Sequence, residues 1–110
     1  MSGKVIEGKK FGRELGYPTA NIRITPGIFE GIYAGMVEFD NKKYKSAIYV
    51  SHKDPHILEA HLLSFTGDIY GKKIIVSVGL KIREAIEETD ITKLREMIKD
   101  DVEKIKCLPE

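Results

Sequence analysis

Gly8-Lys-Lys-Phe-Gly-Arg-Glu-Leu-Gly-Tyr-Pro-Thr-Ala-Asn21 is the stretch that decides the fold, because it joins a glycine-rich loop to the start of a strand. It contains Gly8, Gly12 and Gly16, which are three of the ten glycines in the chain. Glycine at these positions lets the loop turn tightly and present backbone N–H groups to a ligand. Pro18 then fixes its own φ angle and favours an extended conformation for the residue before it, so we expect a strand to begin here.

Two polar side chains follow the loop on this predicted strand. Because residues two apart on a strand share a face, Thr19 and Asn21 should point to the same side. A hydroxyl and an amide oxygen would then lie next to a loop that also carries Lys9, Lys10 and Arg13. Hard oxygen ligands beside a cationic, glycine-rich loop suit a magnesium–phosphate group. The pattern is neither a Walker A loop nor a dinucleotide fingerprint, so a plain surface loop before the strand is the open alternative.

The composition is that of one soluble globular domain. The chain has 110 residues, of which 42% are hydrophobic and 32% charged. A formal net charge of +1 gives no overall field directed at nucleic acid or membrane, and no apolar run approaches the length of a membrane span. The single cysteine, Cys107, argues against a disulfide framework and suits a reducing environment. We therefore expect residues 1–110 to form a single cytoplasmic domain, without a nucleic acid or membrane partner.

Most of the chain beyond the loop has the alternating pattern of β-strands. Strands are predicted at 3–7, 20–24, 32–39, 44–50, 56–65 and 73–82, with turns at 25–27 and 40–42 and a loop at 51–55. Glu59 lies in the middle of its strand, on the face opposite Leu58, Ala60 and Leu62. Gly79 indicates a bulge or a close approach by another backbone or a ligand. One face of that last strand is expected to hold Ile74, Val76, Val78, Leu80 and Ile82.

The end of the chain changes to a helical period. Asp90 is a suitable N-cap, and the charged residues that follow fall on the opposite side from an apolar stripe. The stripe consists of Ile91, Leu94, Ile98, Val102 and Ile105. Short strands followed by one amphipathic helix, without βαβ alternation, predict a mainly β fold. We expect a small antiparallel barrel with a C-terminal α-helix packed across it.

At this point the sequence resembles the riboflavin kinases, a family that includes the C-terminal domain of bacterial bifunctional FAD synthetases. The family opens with the pattern Gly-x-Val-x-x-Gly-x-x-x-Gly-Arg-x-Leu-Gly-aromatic-Pro-Thr-Ala-Asn. The residues that match it are Gly3, Val5, Gly8, Gly12, Arg13, Leu15, Gly16, Tyr17, Pro18, Thr19, Ala20 and Asn21. Weaker blocks that also resemble the family lie at 31–34, 58–63 and 68–71 and near the C-terminal helix.

The resemblance implies a six-stranded Greek-key barrel that transfers the γ-phosphate of ATP, or of another nucleotide, to the 5′-hydroxyl of riboflavin, giving FMN. It implies Thr19 and Asn21 as ligands of Mg²⁺, and Glu59 as the general base. Arg83 and Glu84 are the implied flavin-binding residues. The implied nucleotide-binding residues are Gly8, Lys10, Gly12, Arg13, Gly16, Pro18, Thr19 and Asn21. The expected ligands are riboflavin, FMN, ATP and ADP, and the chain is expected to be a monomer.

The sequence departs from the family pattern in two places. The connection at 51–56 is short and lacks the family's Asn-x-Gly and Pro-Thr loop, so the choice between ATP, CTP and another donor stays open. After Arg83 and Glu84, Ile86 or Ile91 replaces the aromatic residue of the family's flavin-covering segment. The chain itself contains no adenylyltransferase-like segment, so we expect no FAD synthesis from it alone. Whether it belongs to a longer chain with such a domain is left open.

Three other interpretations fit parts of the sequence. A barrel that binds flavin or nucleotide without turnover is the main alternative. An OB-like nucleic-acid binder would need basic and aromatic residues interleaved on one sheet face, which the near-neutral charge does not favour. A zinc cluster of His52, His56 and His61 is disfavoured because His56 and His61, five apart on one strand, point to opposite faces.

Overall fold

A computed structural model of the chain describes residues 1–6, 19–25, 27–51, 54–65, 69–84 and 90–108. Its strands are β1 (Ser2–Lys4), β2 (Thr19–Arg23), β3 (Gly31–Phe39), β4 (Lys42–Ser51), β5 (Asp54–Leu62) and β6 (Lys73–Arg83). They are followed by the helix α1 (Ile91–Lys106). The prediction of a mainly β fold with a C-terminal helix is confirmed.

The strands form one antiparallel sheet that curls into a nearly closed barrel. Their order is β1-β6-β3-β4-β5-β2. Strands β3, β4 and β5 are consecutive neighbours, and β6 returns to pair with β3, which is a Greek-key arrangement. The two edges approach each other just after β1, where the Ile6 N–H donates to the Asn21 carbonyl oxygen at 2.7 Å. The barrel therefore closes beside the strand that carries Thr19 and Asn21.

The inner face of the barrel holds the main hydrophobic core. Leu58, Ala60 and Leu62 of β5 are fully buried there, as their alternation predicts. Ile22 of β2 pairs with Leu58, and Ile48 of β4 pairs with Ala60. Burying a large aliphatic side chain contributes about 1.5–3 kcal/mol relative to leaving it exposed. Because alternate residues fill this core, the intervening residues of the same strands are left on the other side, called the outer face below.

The pairing of β3 with β6 is irregular at Gly79. The register shifts between Tyr33 and Gly35, which pair with Lys81 and Val78. A Cβ atom on Gly79 would lie 2.9 Å from the backbone oxygen of Ala34, so the predicted close backbone approach is present. The same irregularity makes the predicted single apolar face of β6 wrong. Ile74 and Val76 are buried, whereas Leu80 is 64% exposed, because the register shift changes the alternation beyond Val78.

The predicted loop at 51–55 is also wrong in its extent. β4 continues to Ser51, β5 begins at Asp54, and these two residues are paired. A register shift of three residues separates this pair from the Val50–Leu58 pair. Pro55 lies inside that irregularity, where a missing backbone N–H interrupts no regular ladder bond. Only two residues therefore separate the end of β4 from the start of β5.

The helix α1 packs on the outer side of the sheet. Asp90 is its N-cap, as predicted, and its side chain accepts from the backbone N–H groups of Thr92 and Lys93. The buried members of the apolar stripe are Ile98, Val102 and Ile105. Leu94 is half-buried, and the side chain of Ile91 is outside the described part of the structure. Cys107 is exposed at the C-cap. Among the described helical residues, no segment has both the length and the apolar character needed to cross a membrane.

Candidate active site

The outer face of the barrel aligns most of the predicted site residues that the structure describes in one row. Asn21 of β2 pairs with Glu59 of β5, and Glu59 pairs with Tyr49 of β4. Directly paired residues of antiparallel strands point to the same side of the sheet. The row continues through Ile32 of β3 to Arg83 of β6. Five neighbouring strands thus gather residues that are up to about sixty positions apart in sequence.

Thr19 and Asn21 share this face, as their spacing predicts. β2 begins at Thr19, one residue earlier than predicted, and Thr19 pairs with His61 as Asn21 pairs with Glu59. Asn21 is buried and Thr19 is half-buried. Both residues are held by ladder pairing to β5, so their side chains extend from a fixed backbone. Glu59 stands on the adjacent strand, opposite Asn21.

Glu59 presents a carboxylate with one enclosed oxygen. Its side chain is 24% exposed, and Oε1 is buried with no hydrogen-bond partner among the described residues. Burying a carboxylate oxygen without a donor or a cation is costly. On β2, Thr19 and Asn21 supply hard ligand types, a hydroxyl and an amide oxygen, on the face that carries Glu59. These two oxygens fit Mg²⁺, whereas the described residues contain no group of three His, Cys, Asp or Glu side chains that could hold a metal ion.

A histidine and a tyrosine adjoin Glu59. His61 follows two residues later on the same face, is 2% exposed, and has its Nε2 at 3.2 Å from Glu59 Oε1. This distance is within ion-pair range, although the two atoms form no hydrogen bond in this arrangement. The ring centroids of His61 and Tyr49 are 4.3 Å apart, with 37° between the ring planes. Glu59 is therefore bordered by a buried imidazole that lies against a phenol ring.

Arg83, at the other end of the row, is bound to the helix. Its Nε and one terminal nitrogen donate to the two carboxylate oxygens of Asp101, each at 2.8 Å. Its other terminal nitrogen donates to the backbone oxygen of Glu84 at 3.1 Å. Asp101 is 1% exposed, so this bidentate pair is largely shielded from solvent. The described contacts of Arg83 thus join the end of β6 to α1.

Glu84 is exposed and pairs with Lys81. The Lys81 Nζ lies 2.9 Å from a Glu84 carboxylate oxygen. This hydrogen bond, together with the nearby charge of Glu84, raises the pKa of Lys81 above its ordinary value, against a smaller opposing effect of desolvation. Lys81 Nζ also stands 5.9 Å from the centroid of the Tyr33 ring. The charged groups of Arg83 and Glu84 therefore have different partners, one buried and one at the surface.

The remaining predicted nucleotide-binding residues lie outside the described residues. They are Gly8, Lys10, Gly12, Arg13, Gly16 and Pro18. His52, of the disfavoured histidine cluster, and Ile86 lie outside them as well.

A family model described as riboflavin kinase matches residues 1–108. The chain belongs to the riboflavin kinase family. The resemblance seen in the sequence is thereby confirmed over almost the whole length, including the parts whose motifs are weak by themselves.

A curated relative agrees with this placement, and two solved structures share the fold. The chain is 40% identical to the "Bifunctional riboflavin kinase/FMN adenylyltransferase" of Buchnera aphidicola subsp. Schizaphis graminum, over 96% of this chain and 37% of that protein. A crystal structure of riboflavin kinase from Trypanosoma brucei has a TM-score of 0.64 at 22% identity and covers 96% of this chain and 75% of that one, which supports the barrel fold. A Streptococcus pneumoniae structure called "Macrolide-efflux Protein" has a TM-score of 0.83 at 26% identity, over 98% of this chain and 36% of that chain.

The chain spans less than two fifths of the length of the Buchnera relative and of the Streptococcus protein. The shared region is therefore one barrel-sized unit of larger proteins. The family model covers this barrel unit, which contains all the residues of the outer-face row.

Sequence reasoning gave no site role to His61, Tyr49 or Asp101. It placed His61 on the same strand face as Glu59, two residues later, and this spacing could have indicated a contact between them. Tyr49 required the register of β4 against β5, which no local pattern carries. Asp101 lies among buried helical positions, and a carboxylate in an apolar stripe is itself a signal for a buried cationic partner.

Proposed function

We propose that this chain is a riboflavin kinase, which transfers the γ-phosphate of ATP or another nucleoside triphosphate to the 5′-hydroxyl of riboflavin. The observation that carries the proposal is the pairing of Asn21 with Glu59 on the outer face, within a chain of the riboflavin kinase family. Phosphoryl transfer depends on positioning and charge neutralisation more than on covalent chemistry. The proposed metal-binding amide of Asn21 would contribute to charge neutralisation, and the Glu59 carboxylate opposite it would position the acceptor hydroxyl.

Glu59 is the proposed general base. The riboflavin 5′-oxygen forms a bond to the γ-phosphorus while the bond from that phosphorus to the β–γ bridging oxygen breaks. The nucleoside diphosphate leaves with the electron pair, and the hydroxyl proton passes to the Glu59 carboxylate. Before transfer, the same carboxylate accepts a hydrogen bond from the hydroxyl and orients its oxygen toward the phosphate.

Thr19 and Asn21 are the proposed residues that hold Mg²⁺ together with the nucleotide. When bound, the ion neutralises charge on the phosphate oxygens. Neither residue carries a charge, so their affinity for the free ion is expected to be low and the ion to arrive with the nucleotide. The backbone N–H groups of the loop before Thr19 are the proposed phosphate cradle, as the family pattern implies.

An apolar groove on the outer side of the sheet supports an aromatic acceptor. It has a volume of about 350 Å³ and lies between β3, β6 and the C-terminal end of α1. Its lining includes Ala34, Met36, Val78, Leu80, Ile105 and Leu108. Ala34 lies two strands from Glu59 and about two residues along the sheet, a separation of roughly 12 Å from the standard strand spacings. This separation is comparable to the length of a tricyclic ring with a ribityl chain.

Arg83 and Glu84 remain predicted flavin-binding residues. Because Arg83 is paired with Asp101, we propose that its contribution is to hold the end of β6 against the helix, where the chain continues toward the predicted flavin-covering segment. The monomeric state, the cytoplasmic location and a link to an adenylyltransferase domain in a longer chain stay predictions. The last of these is supported by the bifunctional relative.

The experiment is to incubate the 110-residue chain with riboflavin, Mg²⁺ and either ATP or CTP, and to separate the products by chromatography. We expect FMN with at least one donor, and its loss on chelation of the metal. Glu59→Gln should retain flavin binding and lower turnover on the order of 10²–10⁴-fold, because the isosteric amide cannot accept the proton.

If no donor yields FMN while flavin or nucleotide still binds, the kinase proposal is wrong. The alternative interpretation, a non-catalytic binding barrel, then holds. Near-normal turnover of Glu59→Gln with an active wild type would instead remove Glu59 from its proposed role and leave the activity standing.

A further inference from the structure

His61 is a polar residue that is buried on the outer face of β5. It is 2% exposed, on a strand whose inner residues form the hydrophobic core. Burying an imidazole costs free energy unless its nitrogens are used. One of those nitrogens, Nε2, lies 3.2 Å from Glu59 Oε1, the buried oxygen of the proposed base.

Tyr49 restricts where the imidazole can go. It stands on β4 directly opposite Glu59, and its ring centroid is 4.3 Å from that of His61. On the neighbouring strand, Ala47 is paired with His61 and is fully buried. The small side chain of Ala47 leaves space for the imidazole, and the Tyr49 ring limits its movement on the other side. The histidine ring is therefore held next to the carboxylate by packing as well as by backbone register.

We infer that His61 is a positioning residue that fixes Glu59 for proton transfer, with Tyr49 holding the imidazole in place. In the neutral tautomer with hydrogen on Nε2, His61 donates to Oε1 after a small rotation of either side chain. Oε2 is then the oxygen that faces the substrate hydroxyl and accepts its proton. This inference rests on the proposed kinase activity, and it assigns a role to two residues that the sequence motifs alone do not.

The geometry makes a specific prediction about kinetics. A group that orients the base acts in the transition state more than in substrate binding, so its loss lowers kcat and leaves KM almost unchanged. Because His61 acts through Glu59, its loss should matter little once Glu59 has been replaced. Residues that act as a unit show such non-additive effects.

The test compares His61→Phe and His61→Gln in the 110-residue chain. His61→Phe keeps a planar ring against Tyr49 and removes both nitrogens, and we expect kcat to fall roughly 10–100-fold while the KM values for riboflavin and nucleotide stay within about twofold. His61→Gln restores an N–H donor and should recover part of kcat. In the Glu59→Gln background, His61→Phe should lower kcat by less than about twofold.

His56→Phe is the matched control, because it makes the same substitution at an exposed position of the same strand. It should leave kcat unchanged. Wild-type kcat in His61→Phe, or a rise in KM without a fall in kcat, would overturn the positioning role while leaving the kinase intact. If His61→Phe does not fold, His61→Gln is compared in the wild-type and Glu59→Gln backgrounds instead. A fall in kcat with wild-type Glu59 and none in the Glu59→Gln background supports the positioning role, and an equal effect in both backgrounds overturns it. A wild type that makes no FMN overturns the proposed function before any His61 variant is compared.

Discussion

The two faces of β5 differ in what they contribute to the molecule. The inner face carries Leu58, Ala60 and Leu62, all fully buried in the barrel core. The outer face of the same strand carries Glu59 and His61, with a half-buried carboxylate and a buried imidazole. One short segment thus supports the core with every second residue and the candidate site with the others. Strand alternation alone thus assigns adjacent residues to different roles, one in the stability of the core and the next in the chemistry of the site.

Leu58→Ala is the change with the largest expected effect on stability. Leu58 is fully buried between Ile22 and Val50 on the adjacent strands. Removing its side chain should lower the free energy of unfolding by about 2–5 kcal/mol, from lost burial and the cavity left behind. Glu59→Gln, one residue away, should not lower the free energy of unfolding, because it removes a charge whose enclosed oxygen has no hydrogen-bond donor among the described residues. Denaturant unfolding followed by circular dichroism measures both.

Leu80→Ala provides the control for this prediction. It makes the same substitution at a side chain that is 64% exposed, so its cost should stay within about 0.5 kcal/mol. If Leu58→Ala and Leu80→Ala lower the free energy of unfolding equally, the assignment of the inner face as the main core is wrong. A large loss in Glu59→Gln would show that the outer face of β5 is also required for folding.

Asp101→Asn should have a smaller but clear effect, because it disrupts an ion pair on the outer side of the sheet. The variant removes the charge that accepts two hydrogen bonds from Arg83. We expect the free energy of unfolding to fall by about 1–3 kcal/mol, less than for a fully buried pair because Arg83 is partly exposed. Thermal or denaturant unfolding provides the measurement.

Asp100→Asn is the adjacent control, since Asp100 is exposed on the same helix. Its unfolding midpoint should match that of the wild type. The double variant Arg83→Met/Asp101→Leu should be more stable than Asp101→Asn, because no charged group is then left without its partner. If Asp100→Asn and Asp101→Asn are equally stable, the Arg83–Asp101 pair does not stabilise the contact between the end of β6 and α1.

The sequence predicted the inner face of β5 and the positions of Thr19, Asn21 and Glu59 because these follow from local alternation. It failed at Leu80, since the bulge at Gly79 depends on how β3 and β6 pair. It also predicted too long a loop at 51–55, because Pro55 suggests a break although the register shift accommodates it.

The surroundings of Glu59 show the same limit for the candidate site. Local alternation puts Glu59 and His61 on one face, but the approach of Tyr49 depends on pairing with a strand about ten residues earlier in the chain. The Arg83–Asp101 pair likewise needs the helix to cross the sheet at one position. Such contacts are set by tertiary register, for which the periodicity of a single segment contains no information.

Glu84→Gln should have the smallest effect, and it sharpens the contrast between the two charged pairs near the end of β6. Glu84 is exposed and pairs with Lys81 at the surface, where ion pairs are screened by water and salt. Its hydrogen bond raises the pKa of Lys81 in the folded chain above the ordinary value of 10.5. A raised pKa of a cation gives a stabilisation that is fully present below the unfolded pKa and is lost as the pH rises through the folded pKa. The difference in thermal midpoint between wild type and Glu84→Gln should therefore be slight, constant from about pH 7 to pH 9, and smaller in high salt. A midpoint shift as large as that of Asp101→Asn would mean that solvent exposure does not separate the two pairs.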